Sequence, residues 1–311
     1  MTAVANAVRA GNGDPDVGTV ADMDNYYRRF DQARLPSDCA LVELDGAVVA
    51  YGRISWEDMA NGEHLASGIL NTSPAVRGGS IEGLLLEHAI DRANTLAVEL
   101  GGGRDVFLGI AIPDKDPEQL AAAIALGFRS VRQFARLVRP NLDDIPDIPM
   151  PDGFEIRRIA ADDRAMHRRV WEAGARAFDG SYGEEIPTEN DYARWLEAPD
   201  FQPPLWRVAF HGEEIAAQIL SFLDATTEPD GGRLGWTESI STQPEFRRRG
   251  LARALLADSL RAVRDAGATR AALGADLQNP NQAATLYQSM GFEIVSVSHE
   301  YRLGPFPRSG R

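Results

Sequence analysis

The chain has 311 residues, 44% of them hydrophobic, enough for two soluble domains of ordinary size. Its formal net charge of −14 argues against nucleic acid as a partner, and no apolar run reaches the ~18 residues of a membrane span. One cysteine, Cys39, excludes an intrachain disulfide framework and fits a reducing, cytoplasmic setting.

Met1 to Gly18 carries a single basic residue and no apolar core segment, so it is no secretory signal and reads as a flexible leader. Residues 19–140 are expected to form a first domain. Within it, Glu43 to Gly52 reads as a hairpin turning at Gly46, and Pro74 precedes a helical run from Arg77 to Leu86. Four prolines and three aspartates between Arg139 and Pro151 sustain neither helix nor central strand, so residues 141–152 read as a semi-rigid linker. A second domain is expected over 153–311. In it the segment Ala173 to Trp195 places Asp179, Tyr182, Glu184, Glu185 and Asp191 among Phe178 and Trp195. That composition suits a protonated amine through charge and cation–π contact, and an exposed acidic loop accounts for it equally well. The first domain's pattern then recurs. Ala209 to Gln218 repeats the hairpin, Pro244 with Arg247 to Leu256 repeats the loop and helix, and Ser289-Met290-Gly291-Phe292 echoes Ala125-Leu126-Gly127-Phe128. No opening strand is evident for the first copy.

Leu234 to Thr242 is rich in β-branched and aromatic residues and reads as a strand. After the Pro244 loop come Arg247, Arg248, Arg249, Gly250, Leu251 and Ala252, and the apolar spacing predicts an amphipathic helix over 247–266. Three arginines at a helix start oppose the helix dipole unless an anion binds there. Free N–H groups, a glycine and guanidinium groups make a phosphate cradle, and neither Gly-Lys-Ser/Thr nor Gly-x-Gly-x-x-Gly is present. Ala271 to Ala275 reads as a short strand. Asp276 to Phe292 reads as an Asn-Pro-Asn loop, a helix bearing Tyr287 and a Gly-Phe exit, with a closing pair of strands over Ile294 to Leu303.

Arg247-Arg248-Arg249-Gly250-Leu251-Ala252, followed by the Asn281–Tyr287–Phe292 segment, resembles the GCN5-related N-acetyltransferase (GNAT) superfamily. The paired copies resemble its tandem members of the mycothiol synthase type. The resemblance implies an α/β (α+β) fold of two GNAT domains, each a mixed, mostly antiparallel sheet flanked by helices. It also implies acetyl-CoA as cosubstrate, transfer to a primary amine of a small molecule, and a monomer or homodimer. Backbone groups of Ile240 and Thr242 would pair with the pantetheine arm, and Arg247 to Ala252 would hold the pyrophosphate. Asn281 resembles the family's loop asparagine; an N-cap role is compatible with that.

Acetyl transfer needs the amine deprotonated, the oxyanion stabilised and the departing thiolate protonated. Glu238, a carboxylate in an apolar strand, is the candidate base, with a solvent-facing Glu as the alternative. Tyr287 is the candidate acid, with core packing as the alternative. Asp179, Tyr182 and Glu184 are candidate acceptor contacts. The five histidines are scattered, so no metal site is expected. In the first copy, Ser80 and Glu82 stand opposite Gly250 and Ala252, and Pro117 and Ala123 stand opposite Asn281 and Tyr287. That copy is therefore expected to be degenerate and non-catalytic. A protein or peptide N-acetyltransferase and a silent acyl-CoA-binding module are the other readings.

Overall fold

The computed structural model describes residues 1–13, 17–28, 30–78, 80–100, 103–178, 187–198, 200–227 and 231–307. The chain divides into two compact units, Met1–Phe134 with Ser296–Arg311, and Ala135–Val295.

The first unit opens with α1 (Thr2–Gly11), α2 (Val20–Tyr27) and a short α3 (Leu35–Asp38). The expected flexible leader thus contains a helix. Val4, Ala5 and Val8 share one helical face and are buried with Tyr51, a pattern too short to register as an apolar core segment. Among the described residues, the first strand comes only after these three helices. Strands β1 (Cys39–Leu44), β2 (Ala47–Asp58) and β3 (His64–Thr72) follow, then α4 (Ile81–Glu99), β4 (Val106–Pro113), α5 (Pro117–Ala125) and β5 (Arg129–Arg139). Asp45 and Gly46 both take positive φ, the geometry of a two-residue hairpin turn joining β1 to β2. One face of α4 (Leu86, Ala89, Ala93, Leu96) packs on Ile54, Leu108 and Ile110. Each fully buried leucine contributes about 1.5–3 kcal/mol there.

The second unit takes the latter part of β5, the extended connector, and then β6 (Glu155–Arg157), α6 (Arg164–Phe178), α7 (Glu189–Leu196), β7 (Arg207–His211), β8 (Glu214–Thr227), β9 (Arg233–Thr242), α8 (Leu251–Asp265), β10 (Arg270–Asp276) and α9 (Ala283–Ser289). Val170 and Ala173 of α6 are buried with Trp206, Val208 and Phe210. From the other side α8 packs on β8 and β9. Gly235 makes that approach possible, since a Cβ there would stand 2.8 Å from the Val263 Cβ. β3 with β4 and β9 with β10 are parallel, joined through α4 and α8, whereas β1–β2, β2–β3, β4–β11, β6–β7, β7–β8 and β8–β9 are antiparallel. This is the expected mixed, mostly antiparallel architecture.

Three expectations shift. The last strand is one element, β11 (Glu293–Phe306), rather than a closing pair. From Ser298 it pairs with β4 and so belongs with the first unit, while the neighbour of β10 is β5. The chain therefore passes from the first unit to the second within β5 and back again within β11. The connector is also more firmly held than its composition suggests. Arg139, 5% exposed, donates to the carbonyls of Asn141 (3.0 Å) and Met290 and pairs with Asp144; Arg261 holds Pro146 O at 2.8 Å. Replacing Arg139 by Met strands a buried carbonyl and is expected to cost about 1–3 kcal/mol, read by urea unfolding.

Candidate active site

The strands β9 and β10 pair only from Leu234 to Trp236 against Arg270 to Ala272, and beyond that point their registers part. Between the pairs Leu220–Glu238 and Gln218–Ser241, β9 carries one residue more than β8. This bulge is built on Ser239, whose φ is +47°, and it re-aims the strand where it leaves β10. The opening holds a cavity of about 410 Å³ lined by Ile240, Ser241 and Thr242 of β9, by Asn279 and Asn281, and by Leu286 and Tyr287 of α9.

Its third wall is the arginine loop. The helix starts at Leu251 rather than 247, because Arg248 (φ +62°) and Gly250 (φ +86°) hold the chain out of helical geometry. The first helical bond runs from Ala254 N–H to Gly250 O at 3.1 Å. Among the described residues, the N–H groups of Arg248 to Arg253 have no partner. Those at the helix start are the positive end of a 15-residue helix, and Arg248, Gly250, Leu251, Ala252 and Arg253 are on the cavity wall. Unpaired donors, a glycine in the left-handed region and guanidinium groups fit a pyrophosphate.

The arginines divide the work. Arg247 is anchored: its Nε donates to Thr242 O (3.1 Å) and its Nη2 to Ala177 O (2.9 Å), satisfying an end carbonyl of α6. That anchor brings Ala177 and Phe178 to the cavity. Its own N–H bonds Pro244 O at 3.3 Å, so it is not a free phosphate donor. Arg249 turns away, donating to Glu245 O at 3.2 Å and lying over the Phe246 ring. Arg247 and Arg248 line the cleft, as does Arg253, which the motif alone did not single out.

Tyr287 is 5% exposed, and its hydroxyl has no hydrogen-bond partner among the described residues. Burial pushes its pKa up to about 12, so the phenol stays protonated across the neutral range. Glu238 lies two residues before Ile240, across the bulge, and is not on the cavity wall. By surface area it is exposed, yet its surroundings strip enough hydration to push its pKa up, and the Asp200 carboxylate adds to the rise. Both hold for a carboxyl crowded by protein whose tip still meets water, and reach to solvent is what a base for an incoming amine needs. A base works when deprotonated, so its rising pH limb lies above the ordinary carboxylate range. Glu238→Gln is expected to lower kcat/KM about 10²–10⁴-fold on the plateau and to remove that limb. Folding alone would move the other way: a raised carboxyl pKa disfavours the folded state as pH rises through it, so the Gln variant is no less stable at neutral pH.

Asn281 lines the cavity, its N–H bonded to Asn279 Oδ1 at 2.8 Å; Gln282 (φ +55°), not Asn281, is the N-cap of α9. The candidate acceptor residues Asp179, Tyr182 and Glu184 lie outside the described residues. Among the described residues no cluster of His, Cys, Asp and Glu suits a metal, and no helix is long and apolar enough to cross a membrane.

The first unit repeats this geometry with altered contents. Arg77 Nε bonds Thr72 O at 3.4 Å just as Arg247 bonds Thr242 O, and each arginine follows a short turn, Pro74–Val76 or Pro244–Phe246. β3 also leaves β4, after Gly68, but its ladder with β2 runs without a bulge from Ala50–Thr72 to Asp58–His64. Gln119 of α5 donates to Leu70 O at 3.3 Å, at the position matching Ile240. Asp116 pairs with Arg77 at 3.1 Å, and the Glu82 carboxylate is buried in the first turn of α4.

A model of the acetyltransferase (GNAT) family matches residues 168–292, which contain the whole cleft. A mycothiol acetyltransferase of Salinispora arenicola is 30% identical over 296 residues, covering 93% of this chain and 89% of its own length. The chain belongs to the GNAT family. It is an N-acetyltransferase of the tandem, mycothiol synthase-like type, and GNAT enzymes take acetyl-CoA as cosubstrate. A second mycothiol acetyltransferase, from Thermobispora bispora, is 29% identical over 243 residues, covering 76% of this chain and 75% of its own length. Among solved structures, a GCN5-related N-acetyltransferase from Sphaerobacter thermophilus aligns with a TM-score of 0.75 at 21% identity, covering 100% of this chain and 93% of its own. A tandem GNAT protein from the clavulanic acid biosynthesis pathway aligns at 0.66 with 18% identity, covering 98% and 94%. These two show the shared fold.

Proposed function

We propose that the second unit alone carries the activity, moving an acetyl group from acetyl-CoA to a primary amine of a small molecule. The observation that carries this reading is the contrast between the units. One cleft gathers unpaired N–H donors, a bulged strand and a protonated tyrosine. Its counterpart has an unbulged strand, a Gln119 amide bonded to Leu70 O where the pantetheine arm would pair, and the Glu82 carboxylate in the first turn of α4. The N–H groups of Arg248 to Arg253, with the Arg248 and Arg253 side chains, hold the pyrophosphate, and the main chain of Ile240 and Thr242 lines the pantetheine arm. Bound acetyl-CoA supplies an activated thioester carbonyl. Glu238 takes the proton from the amine, directly or through water, and the Tyr287 hydroxyl gives its proton to the departing sulfur. Both groups are then reset by solvent.

The exposed Glu238 and Asp200 carboxylates support a cationic acceptor. The test is product detection by mass spectrometry, with acetyl-CoA and two panels, small primary amines and peptides with free N-termini. Acetylated small amines are expected. Turnover confined to peptides would move the assignment to a protein acetyltransferase, and no acetylated product from either panel would favour a silent acyl-CoA-binding module.

A further inference from the structure

Two side chains that flank the Pro244–Phe246 turn reach across to α6. Gln243, before the turn, is 6% exposed, and its Nε2 donates to Ala173 O at 2.7 Å. Its own N–H bonds Ala216 O at 2.9 Å, which fixes it to β8. Arg247, after the turn, donates to Ala177 O at 2.9 Å. Ala173 and Ala177 are one helical turn apart and share the buried face of α6, so the end of that helix is held at two points. The next residue, Phe178, lies on the cleft wall with Ile240 and Thr242 and is 40% exposed. An aromatic ring left uncovered beside the cleft is apolar surface that a ligand would bury.

The first unit is an internal control. At the matching place Ser73 N–H bonds Val49 O at 2.9 Å and Arg77 Nε bonds Thr72 O at 3.4 Å, so the chain enters its turn in the same way. The serine side chain is too short to reach a helix, and Arg77 Nη2 turns to Asp116 at 3.1 Å. There α1, which packs on β2 and β3, settles onto the turn itself: a Cβ at its last residue, Gly11, would stand 3.0 Å from Pro74 Cγ. Where the second unit has Gln243 after its strand and Phe178 at its helix end, the first has Ser73 and Gly11. We propose that Gln243 is a positioning residue for the cosubstrate: with Arg247 it clasps the end of α6 and holds Phe178 as the wall along which the pantetheine arm lies. This rests on the reading that the cleft takes acetyl-CoA. A wall fixed before binding spares the complex the cost of ordering it.

The test is calorimetric titration of the full chain with coenzyme A, on the parent, Gln243→Met, Phe178→Ala and the double variant. Gln243→Met keeps the length of the side chain and loses its donor. Each single variant is expected to weaken coenzyme A binding at least about tenfold, and the double variant to stay within about twofold of the weaker single one. A glutamine that served stability alone would act independently of Phe178, and the losses would multiply. Multiplied losses, or parent-like affinity in either single variant, would overturn the proposal. Should Gln243→Met fail to fold, Gln243→Glu replaces it, keeping the shape and still losing the donor. A parent chain that ignores coenzyme A, or binding that survives Gly250→Glu, would instead overturn the cleft assignment and this proposal with it.

Discussion

Gly250→Glu is expected to weaken acetyl-CoA binding by at least about 10²-fold while leaving the fold intact. Two effects add. At φ +86° any side chain is strained, by about 1–2 kcal/mol, although the Cβ itself would find only Pro151 Cγ at 3.8 Å. The larger effect is charge. A carboxylate beside the N–H groups of Arg248 to Arg253 would occupy the donors meant for a diphosphate and repel it, and juxtaposed like charges cost several kcal/mol. Gly250→Ala separates the two, since it carries the strain alone and should change affinity only a few-fold. Equal losses in both variants would mean that backbone conformation, not charge, governs the cradle. The first unit already carries a version of this change, with Glu82 in the opening turn of α4.

Tyr287→Phe should lower kcat about 10²–10⁴-fold with the acetyl-CoA Kd within about twofold of the parent. The phenol is buried, and its hydroxyl bonds nothing among the described residues, so its loss strands no partner and thermal stability should hold. With a pKa pushed up to about 12, it also contributes no falling limb to the pH profile below that value. A Phe variant as fast as the parent would reduce Tyr287 to a packing residue, a role its contact with Phe292 already allows.

How far the sequence reached can be read residue by residue. The cleft-lining residues Ile240, Thr242, Arg248, Gly250 to Ala252, Asn281 and Tyr287 were identifiable because phosphate cradles and helix periods are local patterns. Arg247 also lines the cleft, but its guanidinium is tied to the carbonyls of Thr242 and Ala177, and Arg249 is tied to that of Glu245, partners that spacing along the chain does not reveal. The Ser239 bulge was invisible because Ser is ordinary in strands, and only the unequal register with β8 exposes it. Arg253, in the first turn of α8, and Asn279, in the turn after β10, also line the cleft, and neither stands out in the local pattern. The placement of β11 beside β4 was illegible for a different reason. β5 and β11 are both long strands following a Gly-Phe exit, and which sheet each joins is settled by tertiary packing. The closure of the first unit was half legible. Glu82 could be read as hostile to phosphate, but the contact of Gln119 with Leu70 spans 49 residues.

The chain contains two copies of the fold, and only the cleft of the second is expected to bind acetyl-CoA. Calorimetric titration with acetyl-CoA counts the sites directly. One site per chain, lost in Gly250→Glu and untouched by Gln119→Ala, is the predicted result. Two sites, or a single site that survives Gly250→Glu, would contradict it.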